Sequence, residues 1–417
     1  VRDNGERMLG GLIAAHHLAT LEELPWLISR HAEHVGFSDV LVYVADLQQQ
    51  YLVPLPGQRH EDGTPFERIR VDSTVAGRAF RMLDIVQTRP TSGPATDEPE
   101  AAQPPAAQEP RRMYLPLLDG TERLGVLALT VPRDDERVRW RASQLAALTA
   151  LVLANKRSTS DTYARLVRAQ PMQLSAEMLW TLLPVRTFAT GRVVVTAALE
   201  PAYLAGGDAF DYAVAGDLLH LAVFDAMGHD TAAGLTATIA VGACRNTRRE
   251  DVDLPGIGEA VDAAVFEQFA GTQFATGVLA ALDLRTGVLR WINRGHHPPL
   301  VLRHGRLVAT LRTEPDPPMG FRLGAVHPPA RYQLEPGDRL LFYTDGVIEA
   351  RSPDGEVFGL ERFVDFVIRR EADGVPPPET LRRLIQTLLE HQQDRLQDDA
   401  TVMLVEWRTQ SEQRLVI

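Results

Sequence analysis

The chain has 417 residues, enough for two or three domains at about 150 residues each. Hydrophobic residues at 45% and charged residues at 24% are ordinary for a globular protein, and a formal net charge of −12 gives little electrostatic support to nucleic-acid binding. The single cysteine, Cys244, excludes an internal disulfide and a cysteine-based zinc cluster, and it fits a reducing compartment, so a cytoplasmic location is expected. No apolar run approaches the roughly 20 residues of a membrane span, and no secretory leader pattern opens the chain. Because the chain starts at Val1, a longer parent protein stays open.

Taken in order, residues 11–35 carry Leu12, Ala15, Leu18, Leu24, Leu27 and Ile28 at helical spacing. Residues 37–46 read as a strand with an antiparallel partner at 51–55. A short helix follows at 74–83 and a strand at 84–88. Residues 89–110 are rich in Pro, Ala and Glu, bury too little apolar surface to fold alone, and read as a disordered loop inside the module. Strands resume at 113–118 and 123–131 around the turn pair Asp119-Gly120. His31 and His34 stand i, i+3 and read as surface histidines, with a shared metal or haem face as the alternative.

Trp140, Leu145, Leu148, Leu151 and Val152 form one apolar stripe that lapses at the polar run 155–162 and returns at Tyr163. Pro171 interrupts any single rod, so two helical pieces are expected, followed by a short helix ending at Pro184. These helices serve either as a dimer-forming signal element or as terminal helices packed on their own domain. Strands are then expected at 193–199, 212–214, 218–224, 275–284, 288–293, 300–303, 307–311, 331–334, 340–344 and 401–407. Helices at 231–249, 255–270, 360–370 and 378–391 fall between them, implying two stacked sheets with helices on both outer faces.

Acidic residues sit at strand ends in four places: Asp208 after Gly206-Gly207, Asp225 before Ala226, Asp345 before Gly346, and the pair Asp398-Asp399. A carboxylate at the mouth of a buried strand must be paired or bound. Small neighbours let backbone approach a bound ion, and oxygen donors without cysteine suit a hard cation such as Mg²⁺ or Mn²⁺.

The stretches GGDAFDY, FDAMGHDTAAG, NRGHHPPLVLR, YTDGVIEA and DDATVMLV, in that order over about 185–409, resemble the SpoIIE-like branch of the metal-dependent PPM protein phosphatases. The resemblance implies an α/β/β/α sandwich with two Mn²⁺ or Mg²⁺ ions. Asp208 and Asp225 would hold the two metals, the Ala226 carbonyl would be a further ligand, and Asp345 with Asp398 would complete one ion. Asp399 is supporting, and Asp211 orients the loop. The pattern departs at Ala209, Asp230 and Arg294. Arg294 reads as a surface side chain, with a phosphate contact as the alternative; His229 and His296 read as buried structural residues.

Residues 1–157, through STVAGRAFRMLDIVQT and LPLLDGTERLGVLALT, resemble a GAF sensor domain, which implies a small-molecule ligand or a dimerising role. The expected whole is therefore a mixed α+β protein. It comprises a GAF-like domain at 1–157, a helical linker at 158–184 and a phosphatase domain at 185–417. The family implies a phosphoserine/phosphothreonine phosphatase, a phosphorylated anti-anti-sigma factor as substrate and a homodimer formed through the linker helices, without nucleic-acid or membrane contact. The alternatives are a catalytically silent docking protein on the same fold and a phosphohydrolase acting on small molecules.

Overall fold

The computed structural model describes residues 3–89, 109–204, 206–324, 327–393 and 396–408. Most of the expected loop, at 90–108, lies outside them. The chain divides into two compact units, Val1–Gln170 and Pro171–Ile417.

The first unit is built on a six-stranded antiparallel sheet in the order β3-β2-β1-β6-β5-β4. Its strands are β1 (Ser38–Ala45), β2 (Tyr51–Pro54), β3 (Ile69–Arg70), β4 (Val86–Thr88), β5 (Arg111–Asp119) and β6 (Glu122–Val131). Strand alternation sorts the side chains into two cores. Val42, Val44, Leu115, Leu127 and Leu129 face α1 (Asn4–Ala15), α2 (Leu24–Ala32) and α4 (Glu136–Arg157). Tyr43, Tyr114, Val126 and Ala128 face α3 (Val75–Met82), whose first turn is capped by the Thr74 hydroxyl.

One expectation is corrected here. The single helix at 11–35 is α1 and α2, with Pro25 in the first turn of the second, where its missing N–H costs nothing. The two helical pieces expected after residue 136 are α4 and α5 (Asp161–Leu166), and the short helix expected before Pro184 is α6 (Leu174–Leu182). Ser160 caps α5, so the polar run ends one helix and starts another. Tyr163, Leu166 and Val167 pack against the first unit's core, whereas Ala176 and Leu179 of α6 belong to the core of the second.

The second unit has two antiparallel sheets. One runs β15-β12-β11-β10-β9, from β9 (Asp208–Ala215), β10 (Leu218–Ala226), β11 (Ala275–Asp283), β12 (Val288–Arg294) and β15 (Ala330–Gln333). The other runs β14-β13-β16-β17-β8-β7, from β7 (Thr187–Ala189), β8 (Val193–Glu200), β13 (Leu300–Arg303), β14 (Arg306–Thr310), β16 (Arg339–Tyr343) and β17 (Ala400–Trp407). Val301, Leu340, Phe342, Met403 and Val405 share a core with the first of these sheets. Leu300, Leu302, Leu341, Val402 and Leu404 point the other way, onto α10 (Leu360–Ala372) and α11 (Pro377–His391). The opposite outer layer is α7 (Thr231–Arg248) and α8 (Leu254–Phe269), which complete a sandwich of four layers. This is the mixed α+β, α/β/β/α architecture expected for the second unit. At the end remote from the acidic residues, the Trp407 indole N–H donates to the Leu284 carbonyl at 3.0 Å and joins the sheets.

Candidate metal centre

The hairpin β9–β10 sets Asp208 directly opposite Asp225 in register, so two carboxylates from separate motifs meet across one strand pair. The second sheet brings its own two at the same end. Asp345 opens the four-residue helix α9 (Asp345–Ile348) just beyond β16, and Asp398 and Asp399 immediately precede β17. Because β16 and β17 are antiparallel neighbours, the end of one lies beside the start of the other.

Hydrogen bonds tie the two sheet ends together. The Thr344 hydroxyl donates to Asp208 Oδ2 at 2.6 Å, and Thr344 Oγ1 accepts from the Thr401 backbone N–H at 2.9 Å. Asp399 Oδ2 accepts from the N–H groups of Gly206 and Gly207 at 2.7 Å and of Asp208 at 3.2 Å. The Gly-Gly pair is required by space. A Cβ on Gly207 would lie 2.3 Å from the Ala226 carbonyl oxygen, the expected ligand, and one on Gly206 would lie 2.6 Å from the His229 Cα. Gly346 is as constrained, since its Cβ would fall 2.0 Å from the Asp399 carbonyl oxygen.

Crowding like charges raises their proton affinity. Burial, then the charges of Asp225 and Asp399, push the Asp208 carboxyl well above its usual range. Burial, then Asp345, Asp398 and Asp399, carry Asp225 to about 7. Burial raises Asp399 to about 6 against the three N–H donors, and burial also raises Asp398, with Asp345 adding to the rise. Asp208 and Asp399 are buried, Asp225 and Asp345 half-buried and Asp398 exposed, so the group opens to solvent on one side. Among the described residues no three His, Cys, Asp or Glu side chains form a compact ion-holding cluster. The oxygens gather at one end of both sheets, and their mutual repulsion is what a hard cation relieves; this donor set fits Mg²⁺ or Mn²⁺.

Several neighbouring residues take places the sequence did not indicate. Asp211 is fully buried and takes Arg245 at 2.6 Å and Arg248 at 2.7 Å, so it ties β9 to α7. Asp230 is the N-cap of α7, its carboxylate accepting from the Ala233 N–H at 2.9 Å. Ala209 lies in the core. Arg294, expected at the surface, is fully buried: Nε donates to the Pro317 carbonyl at 2.8 Å, and Asp262 lies 3.7 Å from Nη2. It pairs with Gly277 of β11 in register, and a Cβ on Gly258 of α8 would fall 3.4 Å from its Nη1. His229 is exposed because the turn before α7 faces solvent, which corrects the expectation that it is buried. His296 is buried as expected, and burial brings its imidazole down to about 4. In the first unit His31 is half-buried over Gly11, its ring centroid 5.8 Å from that of His34.

Thr344 and Thr276 were missed from sequence. Thr344 lies inside the YTDG motif, next to Asp345, and that adjacency was the available signal. Thr276 has no such mark; only the pairing of β10 with β11 sets it opposite Asp225.

Residues 215–408 match the family described as Stage II sporulation protein E (SpoIIE). Protein IcfG of Synechocystis sp. (strain ATCC 27184 / PCC 6803 / Kazusa) is 30% identical over 135 residues, 32% of this chain and 21% of that protein. The solved RsbU and RsbW domains of Rv1364c from Mycobacterium tuberculosis share 26% identity at a TM-score of 0.46, over 54% of this chain and 63% of theirs. The SiaA PP2C domain of Pseudomonas aeruginosa shares 22% at a TM-score of 0.45, over 52% of this chain and 85% of its own. The chain thus spans about a fifth of the curated relative and less than two thirds of the first of these structures. The SpoIIE match lies within the second unit and covers a little less than half of the chain.

Proposed function

We propose that the chain is a metal-dependent phosphoserine/phosphothreonine protein phosphatase governed by its first unit. The observation that carries this reading is the meeting of Asp208 with Asp225 on one sheet, tied through Thr344 and Asp399 to the end of the other. Asp208, Asp225, Asp345, Asp398 and the Ala226 carbonyl would hold two Mn²⁺ or Mg²⁺ ions. When bound, such ions activate water and neutralise phosphoryl charge. The protein's own part is positional. Asp399 fixes the Gly-Gly-Asp loop from below, and Thr344 orients the Asp208 carboxylate through one hydrogen bond. His296 engages both ring nitrogens within the protein, so it has none to offer a leaving group.

The substrate we propose is a phosphorylated anti-anti-sigma factor in a bacterial partner-switching pathway; the SpoIIE family match supports it. The first unit we read as a GAF-like sensor with a small-molecule ligand, supported by its six-stranded antiparallel sheet with helices on both faces. Exposed Trp140 and Leu151 on α4 support a homodimer formed through these helices. No helix among the described residues is long and apolar enough to cross a membrane. A cytoplasmic site of action is part of the same proposal, in keeping with the partner-switching substrate. Hydrolysis of p-nitrophenyl phosphate that requires Mn²⁺ and is lost in Asp208→Ala supports the phosphatase; absence of hydrolysis with any divalent ion favours a docking role. Rapid cleavage of nucleotides with phosphoproteins ignored would instead favour a small-molecule phosphohydrolase.

A further inference from the structure

The turn between β12 and β13 places a buried imidazole between the strand ends that carry the acidic residues. Asn293 holds the backbone of His296 from both sides: its Oδ1 accepts from the His296 N–H at 2.7 Å and its Nδ2 donates to the His296 carbonyl at 2.8 Å. The ring is therefore fixed before its own nitrogens are used. Nε2 lies 3.1 Å from the Tyr343 carbonyl, which only accepts, so Nε2 carries the proton. Nδ1 then accepts from the Thr276 hydroxyl at 2.9 Å. Thr276 is the β11 residue directly opposite Asp225, and Tyr343 is the last residue of β16, two before Asp345. One imidazole thus spans from the strand beside Asp225 in one sheet to the strand leading to Asp345 in the other.

We propose that His296 is a positioning residue that sets the separation of Asp225 and Asp345 and so tunes the affinity for divalent ions. This rests on the metal-dependent reading above. Partners beyond the ligands orient them, and losing such a partner commonly costs about 10- to 100-fold in metal affinity. Here the strut acts through the Tyr343 carbonyl and the Thr276 hydroxyl, whose oxygen also lies 3.5 Å from the Asp225 backbone carbonyl, and it touches neither carboxylate. It also explains why a histidine stands at this position: no other side chain has an acceptor and a donor on opposite edges of one rigid ring.

The test is calorimetric titration of Mn²⁺ into the metal-stripped full chain, with thermal melting of the metal-free protein alongside. Thr276→Val removes the hydroxyl with its bond to Nδ1 and its longer contact to the Asp225 carbonyl, His296→Phe removes both ring bonds and leaves that contact, and Thr276→Ser restores the donor. The expected result is a Mn²⁺ dissociation constant raised about tenfold in Thr276→Val and further in His296→Phe. Thr276→Ser should bind as the wild type does, and the metal-free melting temperature of Thr276→Val should stay within a few degrees of it. Half-saturating Mn²⁺ for phosphatase activity should rise in parallel, with KM for the phosphorylated substrate unchanged. Wild-type affinity in both Thr276→Val and His296→Phe overturns the inference and leaves the phosphatase reading intact. A wild-type chain that takes up no Mn²⁺ overturns the metal-dependent reading itself.

Discussion

Removing the charge of Asp225 should strengthen the metal-free fold. Its carboxyl rises from an ordinary 3.8 to about 7 on folding, through burial first and then its acidic neighbours. A raised carboxyl contributes stability that is present below pH 4 and lost as the pH passes 7. In EDTA at pH 8, urea unfolding of Asp225→Asn should therefore show a gain on the order of 3 kcal/mol over the wild type, fading at pH 4. Added Mn²⁺ should reverse the order, since only the wild type keeps the ligand. Asp399 should behave in the opposite way. Its carboxylate satisfies the N–H groups of Gly206, Gly207 and Asp208, and Asp399→Ala leaves them buried without an acceptor. A loss of about 2–3 kcal/mol is expected on denaturation, with less in Asp399→Asn, which retains a carbonyl oxygen.

Between the sheets and their covering helices, the same logic separates structural acids from the proposed metal ligands. Asp211 pairs with two arginines of α7, so Asp211→Ala strands both guanidinium groups and should cost about 3 kcal/mol in a denaturant titration, with little change in Mn²⁺ affinity. Gly346→Ala should do more damage at the site. Its methyl would drive the start of α9 away from the Asp399 carbonyl, lowering Mn²⁺ affinity at least tenfold by calorimetry. Most strands were legible because alternation marks them: residues 275–284 and 288–293 became β11 and β12 with Gly287 at the turn. Helix breaks were less legible. The run 11–35 keeps a helical period across a gap, because Leu18, at 97% exposure, fits the stripe while pointing into solvent.

Across the whole molecule, the fold of the second unit could be read from its element order, and four of its acidic positions from their place at strand ends. The partners of those acids could not. Arg294 looked like a surface residue because nothing along the chain shows that α8 closes over β12 with Asp262 beside it. Asp230 looked like a departure from a pattern and is instead the cap that starts α7. Such roles depend on contacts between residues far apart in sequence, which composition and period do not encode. The central claim is that carboxylates from four distant stretches together hold a pair of divalent ions. Its most direct measurement is the stoichiometry of Mn²⁺ bound by the metal-stripped full chain. Two ions per chain are expected, with binding weakened at least a hundredfold when Asp208 and Asp225 are both replaced by alanine, given the loss of both shared ligands. Uptake of no ions, or uptake unchanged by that double replacement, would contradict it.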